Sequence, residues 1–194
     1  MIVGVTGSFG TGKTYVASLL RARGATVLDA DRIAHGVIRK GSAEYRKILR
    51  AFGRRVIDKK GEIGRTKLGK VVFGNRRSLR TLNAIVHPAV IAIIRSRARR
   101  LPKGKVLVID APLLIEAGLA GMVDVLVVVT ASRRRQIERC KRRSHIGEGA
   151  VTKRIRAQIP LATKMKKADF IIDNDGSRTA TRQQVKEMWG LLWR

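Results

Sequence analysis

The chain has 194 residues and 44% hydrophobic content, enough for one buried core with insertions and too apolar for wholesale disorder. Its one cysteine, Cys140, excludes an intrachain disulfide. Lys and Arg number 42 against 14 acids, a formal charge of +28. That charge attracts anions such as phosphorylated metabolites, nucleic acid or anionic lipid, or else reflects a general compositional bias.

Met1 to Val5 has no basic n-region leading into a long apolar run, so it is not read as a secretory signal. Ile2 to Thr6 is apolar and β-branched, the pattern of a buried strand. Lys13 to Arg23 has helical periodicity and stops at Gly24. Ala25 to Leu28 reads as a second strand, closing on Asp29-Ala30-Asp31. From Arg32 to about Leu101 the pattern is helical and basic, with breaks near Gly41, Gly53 and Gly61. Pro88 in this stretch either opens a helix or kinks one. Val106 to Ile109 and Val125 to Val129 are further buried strands. Helices are expected over Arg133 to Arg143 and Glu148 to Gln158, a last strand over Phe170 to Ile172, and a final helix over Arg178 to Trp193. Trp189 and Trp193 lie one turn apart, as in a helix packed on a core. Continuous apolar strands separated by helices indicate an α/β fold with a parallel sheet covered on both faces. The apolar runs are strand-length, so a cytoplasmic protein with no membrane span is expected.

Gly7-Ser8-Phe9-Gly10-Thr11-Gly12-Lys13-Thr14 fits the phosphate-loop pattern G-x-x-x-x-G-K-[ST], between an expected strand and an expected helix. Glycines let backbone N–H groups turn toward phosphates, and the helix N-terminus adds its positive dipole end. Lys13 is positioned for the β- and γ-phosphates, and Thr14 for magnesium. The loop names a phosphate donor, most simply ATP with Mg²⁺, but no acceptor.

Asp29, Asp31 and Asp110 fall at expected strand ends, where open parallel sheets bind ligands. Asp110, after Val106 to Ile109, resembles a carboxylate that holds magnesium directly or through water. Asp31 is a candidate base for an acceptor hydroxyl. For all three, helix capping or simple solvation is the competing reading.

Asp29-Ala30-Asp31-Arg32-Ile33-Ala34, then Gly64-Arg65 with Leu68 and Phe73, then Leu82-Asn83 with His87-Pro88, then Asp110-Ala111-Pro112-Leu113-Leu114-Ile115-Glu116 resemble the dephospho-CoA kinases. Gln136 with Arg139 and Arg143, Gln158, Ala168-Asp169 and Asn174 continue the resemblance in order. It implies a P-loop kinase core over about 1–31, 102–132 and 165–194, a helical acceptor-binding insertion over about 32–101, and a small helical lid over about 133–164. The implied reaction is transfer of the ATP γ-phosphoryl group to the ribose 3′-hydroxyl of dephospho-CoA, the last step of coenzyme A synthesis. Gly7, Gly10, Thr11, Gly12, Lys13, Thr14 and Tyr15 match the ATP site, and Asp31 matches the base. Arg65, His87 and Glu116 fall in acceptor-binding positions, and Thr14 and Asp110 in the Mg²⁺ site.

The chain departs from that pattern. Ser8-Phe9 stand where Gly-Ile is usual, Tyr15 where a small hydroxyl residue is usual, His35 where Arg is usual, and Ser144 where Asp is common.

Arg139 and Arg143 share one helical face and are candidates to stabilise charge on a transferring phosphoryl group, with membership of a solvated basic run as the alternative. For Asn174, an adenine contact, hence a place in the ATP site, and a plain turn role are both open. No role is assigned to Cys140. A kinase acting on another nucleotide would share the loop but should lack the stretch bearing Arg65 and His87-Pro88. A nucleic-acid-stimulated ATPase would suit the charge. Yet aromatics are 4% of the chain and are not interleaved with the basic runs, as base stacking would require, so no nucleic acid partner is needed. Oligomeric state is left open.

Overall fold

A computed structural model of the chain describes residues 1–72, 75–144 and 147–193, with the side chains of Arg65, Arg143 and Ser144 outside that description. Phe73, part of the resemblance above, also lies outside it. In chain order the elements are β1 (Ile2–Gly7), α1 (Lys13–Arg21), β2 (Thr26–Asp29), α2 (Ala30–Val37), α3 (Ala43–Phe52), α4 (Arg65–Val72), α5 (Arg76–Arg99), β3 (Leu107–Asp110), β4 (Val125–Thr130), α6 (Arg133–Ser144), α7 (Glu148–Arg156), α8 (Leu161–Met165), β5 (Phe170–Asp173) and α9 (Arg178–Leu191). They fall into two units, one of residues 1–28 with 101–194 and the other of residues 29–100.

The first unit is built on a five-stranded sheet in the order β2-β3-β1-β4-β5. The pairings of β1 with β3, β1 with β4, and β4 with β5 are parallel. Val3, Val5, Val108, Val127 and Val129 are fully buried, and Val16, Leu20, Val185 and Met188 from α1 and α9 pack with them. Burying each such side chain contributes roughly 1.5–3 kcal/mol. These strands are buried on both faces, which explains why they read as unbroken apolar runs. The register pairs Val5 with Asp110, Gly7 with Val129, and Thr130 with Asp173. The carboxyl ends of β1, β3, β4 and β5 therefore share one edge, the edge at which such sheets hold ligands.

The second unit is helical, as the absence of strand patterns in this stretch suggests. Its core joins Ile48, Phe52, Val56, Leu68 and Val72, with Leu79, Leu82, Ile85 and Val86 partly buried against them. Ser42 caps α3 by accepting from the Tyr45 N–H at 2.9 Å, and Asn75 caps α5 by accepting from Arg77 and Ser78. Gly53, with φ of 72°, ends α3 in a conformation that favours glycine. Pro88 does not open a helix: it lies inside the 24-residue α5. Its ring removes one backbone donor, and the carbonyl one turn earlier belongs to Ala84, which is exposed and open to water. Val90 and Ile94 continue the buried face beyond the proline, so packing carries the helix through it.

Candidate active site

The loop from Gly7 to Thr14 leaves the end of β1 and enters α1. Gly10 and Gly12 have φ of 84° and 91°, a region that side chains with a Cβ rarely adopt. A Cβ on Gly10 would lie 2.9 Å from Cys140 Sγ and from the Gln136 carbonyl, so α6 packs directly beneath the loop. A Cβ on Gly12 would collide with the Asn174 amide. The Thr11 hydroxyl donates to the Ser8 carbonyl at 3.0 Å, and buried Lys13 curls back to donate to the same carbonyl at 3.2 Å. Thr14 is exposed in the first turn of α1. Tyr15 sets its ring 5.7 Å from the Arg178 guanidinium.

A second layer fastens this loop. The Asn174 amide donates to the Thr11 carbonyl at 2.7 Å, and its Oδ1 accepts from the buried Thr181 hydroxyl at 3.0 Å. Arg139 donates to the carbonyls of Thr11 at 3.2 Å and Asn174 at 2.6 Å. Burial, then the neighbouring charge of Arg135, holds the Arg139 pKa below the ordinary arginine value, with Asp175 opposing. Asp175 accepts from the Ser132 N–H at 2.8 Å, and the Ser132 side-chain and backbone bonds hold its carboxyl below the usual range. From the sequence, Arg139 is expected on a transferring phosphoryl group and Asn174 beside adenine or in a turn. In the structure both are occupied in joining the phosphate loop to the loop after β5. Helical spacing set the face of α6 on which Arg139 lies; it did not say what that face meets.

Asp110 is buried at the end of β3, beside β1. The segment after it holds Glu116, expected at the acceptor. In the structure Glu116 Oε1 accepts from Lys164 Nζ at 2.8 Å and from the Ile159 N–H at 3.1 Å. Its Oε2 is buried with no hydrogen-bond partner among the described residues. Lys164 is fully buried and also donates to the Pro112 carbonyl at 2.8 Å. A buried ammonium requires a carboxylate and further acceptors, and Glu116 with Pro112 supplies them. Gln158, just after α7, accepts from the Phe9 N–H at 2.9 Å and from the Ser8 hydroxyl at 3.3 Å.

The unit of residues 29–100 carries the remaining candidates. Asp29 is a cap: its Oδ1 accepts from the Arg32 N–H at 2.9 Å at the start of α2. Asp31 is exposed in the first turn of that helix. Arg65 opens α4, and its side chain is outside the described residues. His87 is half-buried in α5, and burial lowers its pKa from the ordinary imidazole value.

The sequence model of the dephospho-CoA kinases matches residues 1–180. A dephospho-CoA kinase of Geobacillus kaustophilus is 42% identical, over 99% of this chain and 98% of that one. The chain belongs to the dephospho-CoA kinase family. Its fold superposes on a Thermus thermophilus crystal structure with a TM-score of 0.86 and 31% identity, covering 99% and 97% of the two chains. A dephospho-CoA kinase from Campylobacter jejuni superposes with a TM-score of 0.71 and 28% identity, covering 98% and 96%. Among the described residues no helix is long and apolar enough to cross a membrane.

Within this family member, Lys164, Arg154 and the Thr181 hydroxyl are contacts that sequence reasoning passed over. The Lys164 and Arg154 contacts join segments distant in the chain, whereas the Thr181 hydroxyl reaches Asn174 only seven residues away; a lysine in a basic sequence gives no sign that it is buried. Gln158 was marked only by its place in the family resemblance. A magnesium ion fits the donors present: the Thr14 hydroxyl and the Asp110 carboxylate are hard oxygen ligands. The described residues contain no cluster of three or more His, Cys, Asp or Glu suited to a metal cage.

Proposed function

We infer that this protein transfers the γ-phosphoryl group of ATP to the ribose 3′-hydroxyl of dephospho-CoA, giving coenzyme A and ADP, the last step of coenzyme A biosynthesis. The observation that carries this reading is the family match across residues 1–180, which runs through the phosphate loop and the helical unit alike. The built strand–loop–helix site supports the ATP half of it.

Residues about 32–101 form the acceptor-binding region and residues about 133–164 the lid. Loop glycines Gly7, Gly10 and Gly12, with Thr11, Lys13, Thr14 and Tyr15, receive the triphosphate. Thr14 and Asp110 would hold Mg²⁺, which when bound neutralises charge on the β- and γ-phosphates. Lys13 supplies positive charge at the same phosphates. Asp31 orients the 3′-hydroxyl and accepts its proton. The oxygen then forms its bond to Pγ as the bond from Pγ to the β-bridging oxygen breaks, and ADP departs with that electron pair. Arg65 and His87 bind the acceptor. Arg143 binds the nucleotide, and Arg139 with Asn174 holds the loop that receives it. Little covalent chemistry falls to the protein, so positioning and fixed charge do most of the work. We place the enzyme in the cytosol, where a single buried thiol is compatible with a reducing medium.

A competition assay tests the reading. ADP release is followed with dephospho-CoA, adenosine, nucleoside monophosphates and RNA offered side by side. Dephospho-CoA is expected to be the strongly preferred acceptor, with no stimulation by RNA. Preference for a nucleoside monophosphate, or turnover dependent on RNA, would overturn it.

A further inference from the structure

Lys13 and Phe9 mark one end of the phosphate loop. Lys13 donates to the Ser8 carbonyl at 3.2 Å, so the ammonium that serves the β- and γ-phosphates lies next to Ser8-Phe9. Arg139 marks the other side, occupied between Thr11 and Asn174 and close to Gly12. The terminal phosphate therefore falls at the Ser8-Phe9 end, where Arg139 is not.

A different arginine is there. The Arg154 guanidinium carbon lies 5.0 Å from the centroid of the Phe9 ring. Gln158, one helical turn further on, accepts from the Phe9 N–H and the Ser8 hydroxyl through one oxygen. These contacts seat the end of α7 on the loop. Arg154 remains exposed, and no carboxylate pairs with it among the described residues. A guanidinium lying over a ring keeps its N–H edge directed outward, where the planar fork matches phosphate oxygens.

We propose that Arg154 is the lid cation that meets the γ-phosphate, and that Phe9 and Gln158 are the residues that position it. The assignment rests on the ATP-kinase reading above. It also gives a use to Phe9, a departure from the family pattern: a flat ring offers a guanidinium a face that a branched aliphatic side chain does not.

The test uses the full chain carrying Arg154→Ala, Arg154→Lys, Phe9→Ile or Arg139→Ala. Turnover is measured with dephospho-CoA, and the affinities of ADP and a non-hydrolysable ATP analogue are measured by calorimetry without acceptor. Arg154→Ala is expected to lower kcat by about 100-fold or more, the loss typical of one charge-stabilising donor. It should weaken the ATP analogue while leaving ADP affinity unchanged. Arg154→Lys should recover part of both losses. Phe9→Ile should lower kcat roughly 3- to 10-fold, in keeping with one cation–π contact and the alignment it gives. Arg139→Ala should weaken ADP and the analogue alike. A kcat within about twofold of wild type for Arg154→Ala, or equal losses for ADP and the analogue, would overturn the proposal. If the wild-type chain fails to phosphorylate dephospho-CoA, the kinase reading falls, and the acceptor-free affinities still decide the role of Arg154.

Discussion

Asn174 donates its side-chain amide to the main-chain carbonyl of Thr11 at 2.7 Å. One bond thus joins the loop after β5 to the middle of the phosphate loop, and Arg139 doubles it by donating to both carbonyls. The loop geometry is set by glycines inside it and by a polar bracket outside it.

Asn174→Ala removes that bracket and leaves the Thr11 carbonyl with Arg139 alone and the Thr181 hydroxyl with the Ser177 carbonyl alone. Each lost hydrogen bond costs about 0.5–1.5 kcal/mol. The melting temperature should fall by several degrees and KM for ATP should rise, with KM for the acceptor little changed. Thr181→Val, which spares the bond to Thr11, should show a smaller melting shift and near-normal KM for ATP. Thermal melts and initial-rate kinetics check both.

Lys164 and Glu116 form a buried ion pair at 2.8 Å. Lys164→Met leaves the Glu116 carboxylate without its counter-charge and should cost about 3–5 kcal/mol. Adding Glu116→Gln to that variant removes the stranded charge and should return much of the lost stability. Urea unfolding of the two variants measures this. If Glu116 acted only on the acceptor, Lys164→Met would leave unfolding unchanged.

How far the sequence revealed this site depends on how local each contact is. The phosphate loop is local: strand, glycines, lysine and helix follow one another, and their pattern alone specified them. The carboxyl-end position of Asp110 followed from the apolar run before it. The continuity of α5 through Pro88 did not, because packing beyond the proline decides it. The five-residue α8 is too short to show a helical period. The pairing of Glu116 with Lys164, and the turn of Arg139 toward the phosphate loop, depend on which distant segments meet, and no spacing encodes that. Asp29 shows the converse: its capping role was among the open readings, and only its bond to the Arg32 N–H selects it.

His87 gives a pH-dependent prediction. Its pKa in the folded protein is lowered by burial, so the unfolded chain binds the proton more tightly. Its contribution to stability is therefore complete above the unfolded imidazole value of about 6.5 and is lost as pH falls from there through the folded value. His87→Gln should flatten the stability profile in that window. Unfolding midpoints of the two proteins between neutral and mildly acid pH provide the comparison, and identical slopes would contradict the assignment.

Asp31→Ala should lower kcat by roughly 10²- to 10⁴-fold while KM for ATP changes little, as expected for loss of a positioned base. Near-normal turnover in this variant would remove Asp31 from the chemistry.

The most direct measurement is to incubate the protein with ATP, Mg²⁺ and dephospho-CoA and locate the transferred phosphate on the product by phosphorus and proton NMR. The expected result is one phosphate on the ribose 3′-oxygen for each ADP formed, with transfer abolished by Lys13→Met. Phosphate on another atom, ADP formation without an acceptor product, or full transfer by the Lys13→Met protein would contradict it.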